Sequence, residues 1–158
     1  MDHSRTLRRI ALFKLVPDQE LAKLAALMKP VKCRQGEEIF QEGSSDDRLF
    51  VVVLGSVRAT RRVQGSEEAP VATIGSDSYF GELALASAEH KRSATITALE
   101  DSELLALSGK DVDAAAEKDP VFGYHFYKAL AQGIAVRLRA AAGDVAILKS
   151  LSASRCRL

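Results

Sequence analysis

Tyr79-Phe80-Gly81-Glu82-Leu83-Ala84-Leu85, a gap of six residues, and then Arg92-Ser93-Ala94-Thr95 form the stretch that decides how this 158-residue chain is read. It reads as a strand end that turns into a very short helix, followed by a loop and a strand opening with Arg92. Gly81 lets backbone N–H groups approach a ligand closely, and such groups at a helix start suit an anion. Arg92 adds a planar, permanently charged fork matched to phosphate. Glu82 can accept hydrogen bonds from a sugar hydroxyl, which a bare phosphate would not need and a phosphate attached to ribose would. Taken singly, each feature has a plainer reading: a Gly-Glu turn, a solvated Arg, an ordinary connection at Ala86–Lys91. Their order and spacing together carry the argument.

Working outward, short β-branched or apolar runs surround this stretch: Glu38–Phe40, Leu49–Leu54, Ser56–Arg62, Val71–Ile74, Ala94–Leu99 and Leu104–Leu107. Gly36, Gly43, Gly55, Gly65 and Gly75 punctuate them, and the spacing suggests a sandwich or barrel. Gln64–Ala69 reads as an exposed hairpin loop. Before the strands, apolar residues at 3–4 spacing from Leu21 to Met28 mark an amphipathic helix. Asp18 is its expected N-cap and Pro30 its end. Met1–Leu12 is consistent with a helical turn or two bearing Arg5, Arg8 and Arg9. After Ser108 the helical period returns. A short helix is expected at Lys110–Glu117. A long one follows from Val121 to about Leu148, with Asp119 as N-cap and Pro120 at its first position. Phe122, Phe126, Leu130, Ile134, Leu138, Ala141, Val145 and Leu148 form a stripe longer than a small roll can cover. Either the helix packs on its own domain or it meets a second copy. Gly143 is a place where the helix could end earlier.

Composition bounds the function. Lys plus Arg is 22 and Asp plus Glu is 21, so no bulk basic field holds a nucleic acid. No apolar run reaches the ~20 residues of a membrane span, and the N-terminus lacks a secretory signal. Cys33 and Cys156 make no CxxC pair and read as free thiols in a reducing, cytoplasmic setting. His3, His90 and His125 are scattered, so no metal site is expected. No nucleophile elbow, zinc motif or phosphate loop ending in Lys-Ser/Thr is present, and the expectation is a binding protein, not an enzyme.

With Phe80–Leu85 and Arg92–Thr95 go Gly36-Glu37-Glu38-Ile39-Phe40, Glu42-Gly43-Ser44, Leu49-Phe50-Val51-Val52 and Gly55-Ser56-Val57. On these motifs the chain resembles the cyclic nucleotide-binding domain family over roughly Leu12–Leu148. The six-residue gap and Ser93 are most similar to its catabolite-activator branch. The resemblance implies a mainly β fold, an eight-stranded, jelly-roll-like β-roll with an N-terminal helix and two C-terminal helices. Residues 1–158 form one domain: helical start 1–30, roll 31–108, C-terminal helices 109–148, tail 149–158. It also implies that Gly81, Leu83 and Ala84 present N–H groups to a cyclic phosphate. Arg92 pairs with that phosphate, Ser93 and Ala94 lie beside it, and Glu82 binds the ribose 2′-hydroxyl. Ala59 and Val71 fall near base-lining positions, Arg137 and Leu138 where family members cap the purine. Asp77-Ser78 replaces the family's Gly-Asp pair, though Asp tolerates a left-handed backbone. The loop Ala86–Lys91 has neither Gly nor Pro and carries His90.

The implied function is a sensor for a 3′,5′-cyclic mononucleotide, cAMP favoured over cGMP, with no cofactor beyond that ligand. Its C-terminal helix would rearrange on binding and offer a surface to a partner or to a second copy. The chain stops about ten residues past that helix, where the transcription-factor branch carries a winged helix-turn-helix. The expectation is thus a stand-alone sensor or a piece of a larger chain. The alternative is a ligand-free scaffold associating through the same helix. Replacing Arg92 by Ala is expected to abolish binding and leave the ligand-free fold nearly unchanged.

Overall fold

The computed structural model describes residues 3–63 and 68–155, with 147–155 by backbone alone. Cys156 and most of the Gln64–Ala69 loop lie outside these residues. The helical start is divided: α1 (Ser4–Arg9), a 3-10 turn (Ala11–Phe13) and α2 (Asp18–Leu27). Asp18 is the first helical residue and not the N-cap, because Pro17 before it is held extended and makes no side-chain cap. Its carboxylate pairs instead with Arg8, whose guanidinium also donates to the Lys14 and Val16 carbonyls at 3.0 and 2.8 Å. Asp18 still places negative charge at the positive end of the helix dipole.

Eight strands follow: β1 (Lys29–Cys33), β2 (Glu38–Phe40), β3 (Leu49–Leu54), β4 (Ser56–Arg62), β5 (Glu68–Gly75), β6 (Tyr79–Phe80), β7 (Thr95–Ala98) and β8 (Ser102–Leu107). They pair antiparallel in two sheets, ordered β1-β8-β3-β6 and β2-β7-β4-β5. This is the eight-stranded roll with flanking helices. β5 begins at Glu68, earlier than the expected Val71, and its exposed residues escape a hydrophobicity pattern. Pro70 is accommodated in it because β5 is an edge strand, where a missing N–H breaks no ladder. Pro30 sits likewise in edge strand β1.

The continuous apolar run of β3 has a physical cause. Its sheet is covered on both faces, so period-2 alternation sends Phe50 and Val52 to a core between the sheets, with Phe80, Ile96 and Leu104. Leu49 and Val51 go to a second core under the helices, with Phe13, Leu24, Leu105, Phe122 and Phe126. α4 (Gly109–Lys118) and α5 (Pro120–Arg155) complete the described residues. Asp119 Oδ1 accepts the Phe122 N–H at 3.1 Å, so it caps α5 as the sequence indicates.

α5 does not end near Leu148. It continues to Arg155, 36 residues in all, and occupies part of the expected tail. Gly143 does not interrupt it: the ~1 kcal/mol penalty of one glycine is too small to stop a run set among Ala140, Ala141 and Ala142. The stripe divides in two. Phe122, Phe126, Ala129 and Leu130 are buried against the domain and Ile134 is half-buried. Beyond them, Leu138 is 69% and Val145 50% exposed.

Candidate functional site

Phe80 ends β6 in the inter-sheet core and Tyr79 beside it faces the helical core, so the turn that follows is anchored on both sides. Gly81 takes a left-handed φ of 86° and caps the N-terminus of α3 (Glu82–Ala86). A Cβ there would lie 2.6 Å from Arg92 Nη1 and 2.8 Å from the Arg48 carbonyl oxygen. Both conformation and space therefore demand glycine. Asp77, in the family's usual glycine place, has φ 61°, so the turn keeps its left-handed residue.

Arg92 is 3% exposed. Its Nη2 donates to the Arg48 carbonyl at 2.7 Å and lies 3.1 Å from Asp46 Oδ2, while Nη1 donates to the Gly81 carbonyl at 3.3 Å. The guanidinium carbon stands 3.8 Å from the centroid of the Phe40 ring, a cation–π arrangement. Among the described residues, Arg92 Nε is the buried side-chain donor left without a partner. Such donors are rare in folded proteins and call for a ligand or water. Burial, the strongest influence on Asp46, would push its carboxyl up. Hydrogen bonds from Arg48 and the charge of Arg92 outweigh it and hold the carboxyl down at about 2. Burial also lowers the Arg92 guanidinium, with Asp46 opposing.

Glu82, 1% exposed, accepts from Arg137 Nη1 at 2.6 Å. Arg137 Nη2 donates to the Tyr79 carbonyl at 2.7 Å, and its guanidinium lies 4.3 Å from the centre of the Tyr79 ring. α5 is thus tied directly to α3.

Gly81, Glu82, Arg92 and Arg137 meet at one cavity of about 460 Å3, within the size range of small-molecule sites. Gly81, Glu82, Leu83, Ala84, Arg92, Ser93, Ala94, Ala59, Val71 and Arg137 all line it. Leu138 does not. One residue along the helix from Arg137 is rotated by about 100°, which turns Leu138 outward; Ala141, one turn on from Arg137, lines the cavity instead. Asp46 and Arg48 escape sequence reasoning, because Asp46-Asp47-Arg48 before an apolar strand looks like any solvated loop. The lining charges comprise Arg61, Arg92 and Arg137 against Glu82, a balance that suits an anion with a hydroxyl-bearing group. Among the described residues no His/Cys/Asp/Glu cluster has the makings of a metal site, and no helix is long and apolar enough to cross a membrane.

A family model of the cyclic nucleotide-binding domain matches residues 30–119. Over 107 residues the chain is 38% identical to a cyclic AMP receptor protein of Thermus thermophilus, covering 68% of this chain and 47% of that one. Over 114 residues it is 33% identical to a cGMP-dependent protein kinase of Eimeria tenella, covering 72% and 11%. Among solved structures, the N-terminal domain of a transcriptional regulator from Streptomyces coelicolor superposes with a TM-score of 0.74 at 34% identity, over 89% of this chain and 95% of that one. The chain spans about half or less of the two full-length relatives.

Proposed function

Since this chain belongs to the cyclic nucleotide-binding domain family, we propose that its cavity takes a 3′,5′-cyclic mononucleotide and that the domain is a non-enzymatic, cytoplasmic sensor. The observation that carries this is Arg92: a guanidinium buried at the cavity wall, fixed beside Gly81, with its Nε–H left without a partner. The phosphate takes that N–H together with backbone donors of Gly81, Leu83 and Ala84, with Ser93 and Ala94 alongside. Glu82 accepts the ribose 2′-hydroxyl. Ala59 and Val71 receive the base.

cAMP is the favoured ligand. Guanine brings an N1–H and a 2-amino group, three N–H donors against the two of adenine's 6-amino group, and each needs an acceptor once it leaves water. Of the lining side chains, Glu82 and Ser93 can accept, and Glu82 is already engaged by Arg137. The ribose must share Glu82 with Arg137, so binding acts on α5, which carries the signal to a second copy or another protein. The open cavity speaks against a ligand-free scaffold. Calorimetric titration of the purified chain with cAMP and cGMP tests the reading: both are expected to bind, cAMP more tightly. No heat from either at millimolar nucleotide would leave the scaffold standing.

A further inference from the structure

His90 lies in the loop that the family motif leaves undefined, and it does three things there. Its backbone is left-handed, φ 50°. Its Nδ1 lies 2.8 Å from the Ala84 carbonyl oxygen; a carbonyl can only accept, so Nδ1 carries the proton. Its own carbonyl accepts the Asp46 N–H at 3.0 Å. The last four carbonyls of a helix have no partner within it, and α3 is five residues long, too short to hold itself. The imidazole thus caps the far end of the helix whose near end begins at Gly81. Through Asp46 the same residue reaches the carboxylate that steadies Arg92. The 86–92 loop is further fastened to the 43–46 segment by Arg92 N–H to the Ser44 carbonyl and Gly43 N–H to the Arg92 carbonyl, at 2.9 and 2.8 Å.

We propose that His90 is a positioning residue of the phosphate site: its ring bond to Ala84 and its main-chain bond to Asp46 hold the α3 turn and Arg92 in register before ligand arrives. The inference rests on the cyclic-nucleotide reading and names a residue that touches no ligand itself. The left-handed backbone narrows what can stand there. Glycine keeps the conformation and loses the ring; asparagine tolerates the conformation and keeps an amide donor.

The test compares wild type, His90→Gly and His90→Asn, each checked for cooperative melting, by titration with cAMP. His90→Gly is expected to bind about five- to tenfold more weakly, the scale of one lost hydrogen bond, and His90→Asn to recover most of that loss. Affinity of His90→Gly equal to wild type, or His90→Asn no better than His90→Gly, overturns the proposal. Amide exchange across α3 without nucleotide decides the positioning independently. Faster exchange in His90→Gly and recovery in His90→Asn support it, and unchanged exchange overturns it. A wild type that binds neither cAMP nor cGMP sinks the cyclic-nucleotide reading alone.

Discussion

Arg92 looks in the sequence like a ligand contact that could be removed without harm to the fold, and its surroundings revise that expectation. It satisfies two backbone carbonyls and a carboxylate from inside the protein. Arg92→Ala is therefore expected to abolish cAMP binding and also to cost about 1–3 kcal/mol of ligand-free stability, the price of unpaired buried acceptors. Titration calorimetry and thermal melting read the two effects; a melting point equal to wild type would show that water replaces the guanidinium freely. Gly81→Ala meets both a left-handed backbone and two close atoms. The backbone alone costs roughly 1–2 kcal/mol, so melting should fall by roughly 2–8 °C along with loss of binding. Asp46 gives a pH signature. Its folded carboxyl titrates at about 2, below the ordinary 3.8, so its stabilising contribution is fully present above about pH 4 and is lost as pH falls toward 2. Melting curves through that window should steepen their decline there, and Asp46→Asn should flatten that part of it. An unchanged slope in the variant would assign the loss to other carboxylates. Gly81, Glu82 and Arg92 were legible because each belongs to a spaced motif. Asp46 and Arg48 were not, because their roles arise from long-range contacts with Arg92, the one at Arg48 spanning 44 residues of chain.

At the level of elements, what could be read depended on whether the pattern was local. β2, β3 and β4 match their apolar runs residue for residue, since burial imposes a visible period. β1 and β6 left no such mark: one carries a proline and mostly exposed residues, the other is two residues long. Their pairing comes from neighbours β8 and β3. α5 was visible as a stripe, but its register toward the cavity was uncertain by one residue, enough to turn Leu138 outward and bring Ala141 in. Arg137 is the element's link to the site, because it holds Glu82 and the end of β6 at once. Arg137→Ala should leave the roll folded, weaken cAMP by about fivefold or more, the low end of coupling between sites, and erase the ligand-dependent change in amide exchange of α5. Persistence of that change would mean that the helix senses the nucleotide through the base instead of the ribose.

For the molecule as a whole, the site sits where the two cores meet. Tyr79 belongs to one and Phe80 to the other, so the turn at Gly81 is held by packing that neither core supplies alone. α5 joins this arrangement with its first half only. Phe122, Phe126 and Leu130 fix it to the helical core, while the rest of a helix roughly 54 Å long runs on past the cavity. Val136, Leu138 and Val145 are at least half exposed there. Leu138 and Val145 stand seven residues apart, two turns along one face, and an apolar stripe with no cover among the described residues is the pattern of a helix seam. Two copies related by a twofold axis would bury each other's stripe, and that seam would border the wall to which Arg137 and Ala141 belong. Sedimentation at micromolar concentration should then show a dimer, and the paired change Leu138→Glu with Val145→Glu should yield a monomer whose melting point stays close to wild type, because neither side chain supports the roll. If the wild type sediments as a monomer with and without cAMP, the stripe must serve a different protein, and the signal leaves the sensor by a heterologous contact.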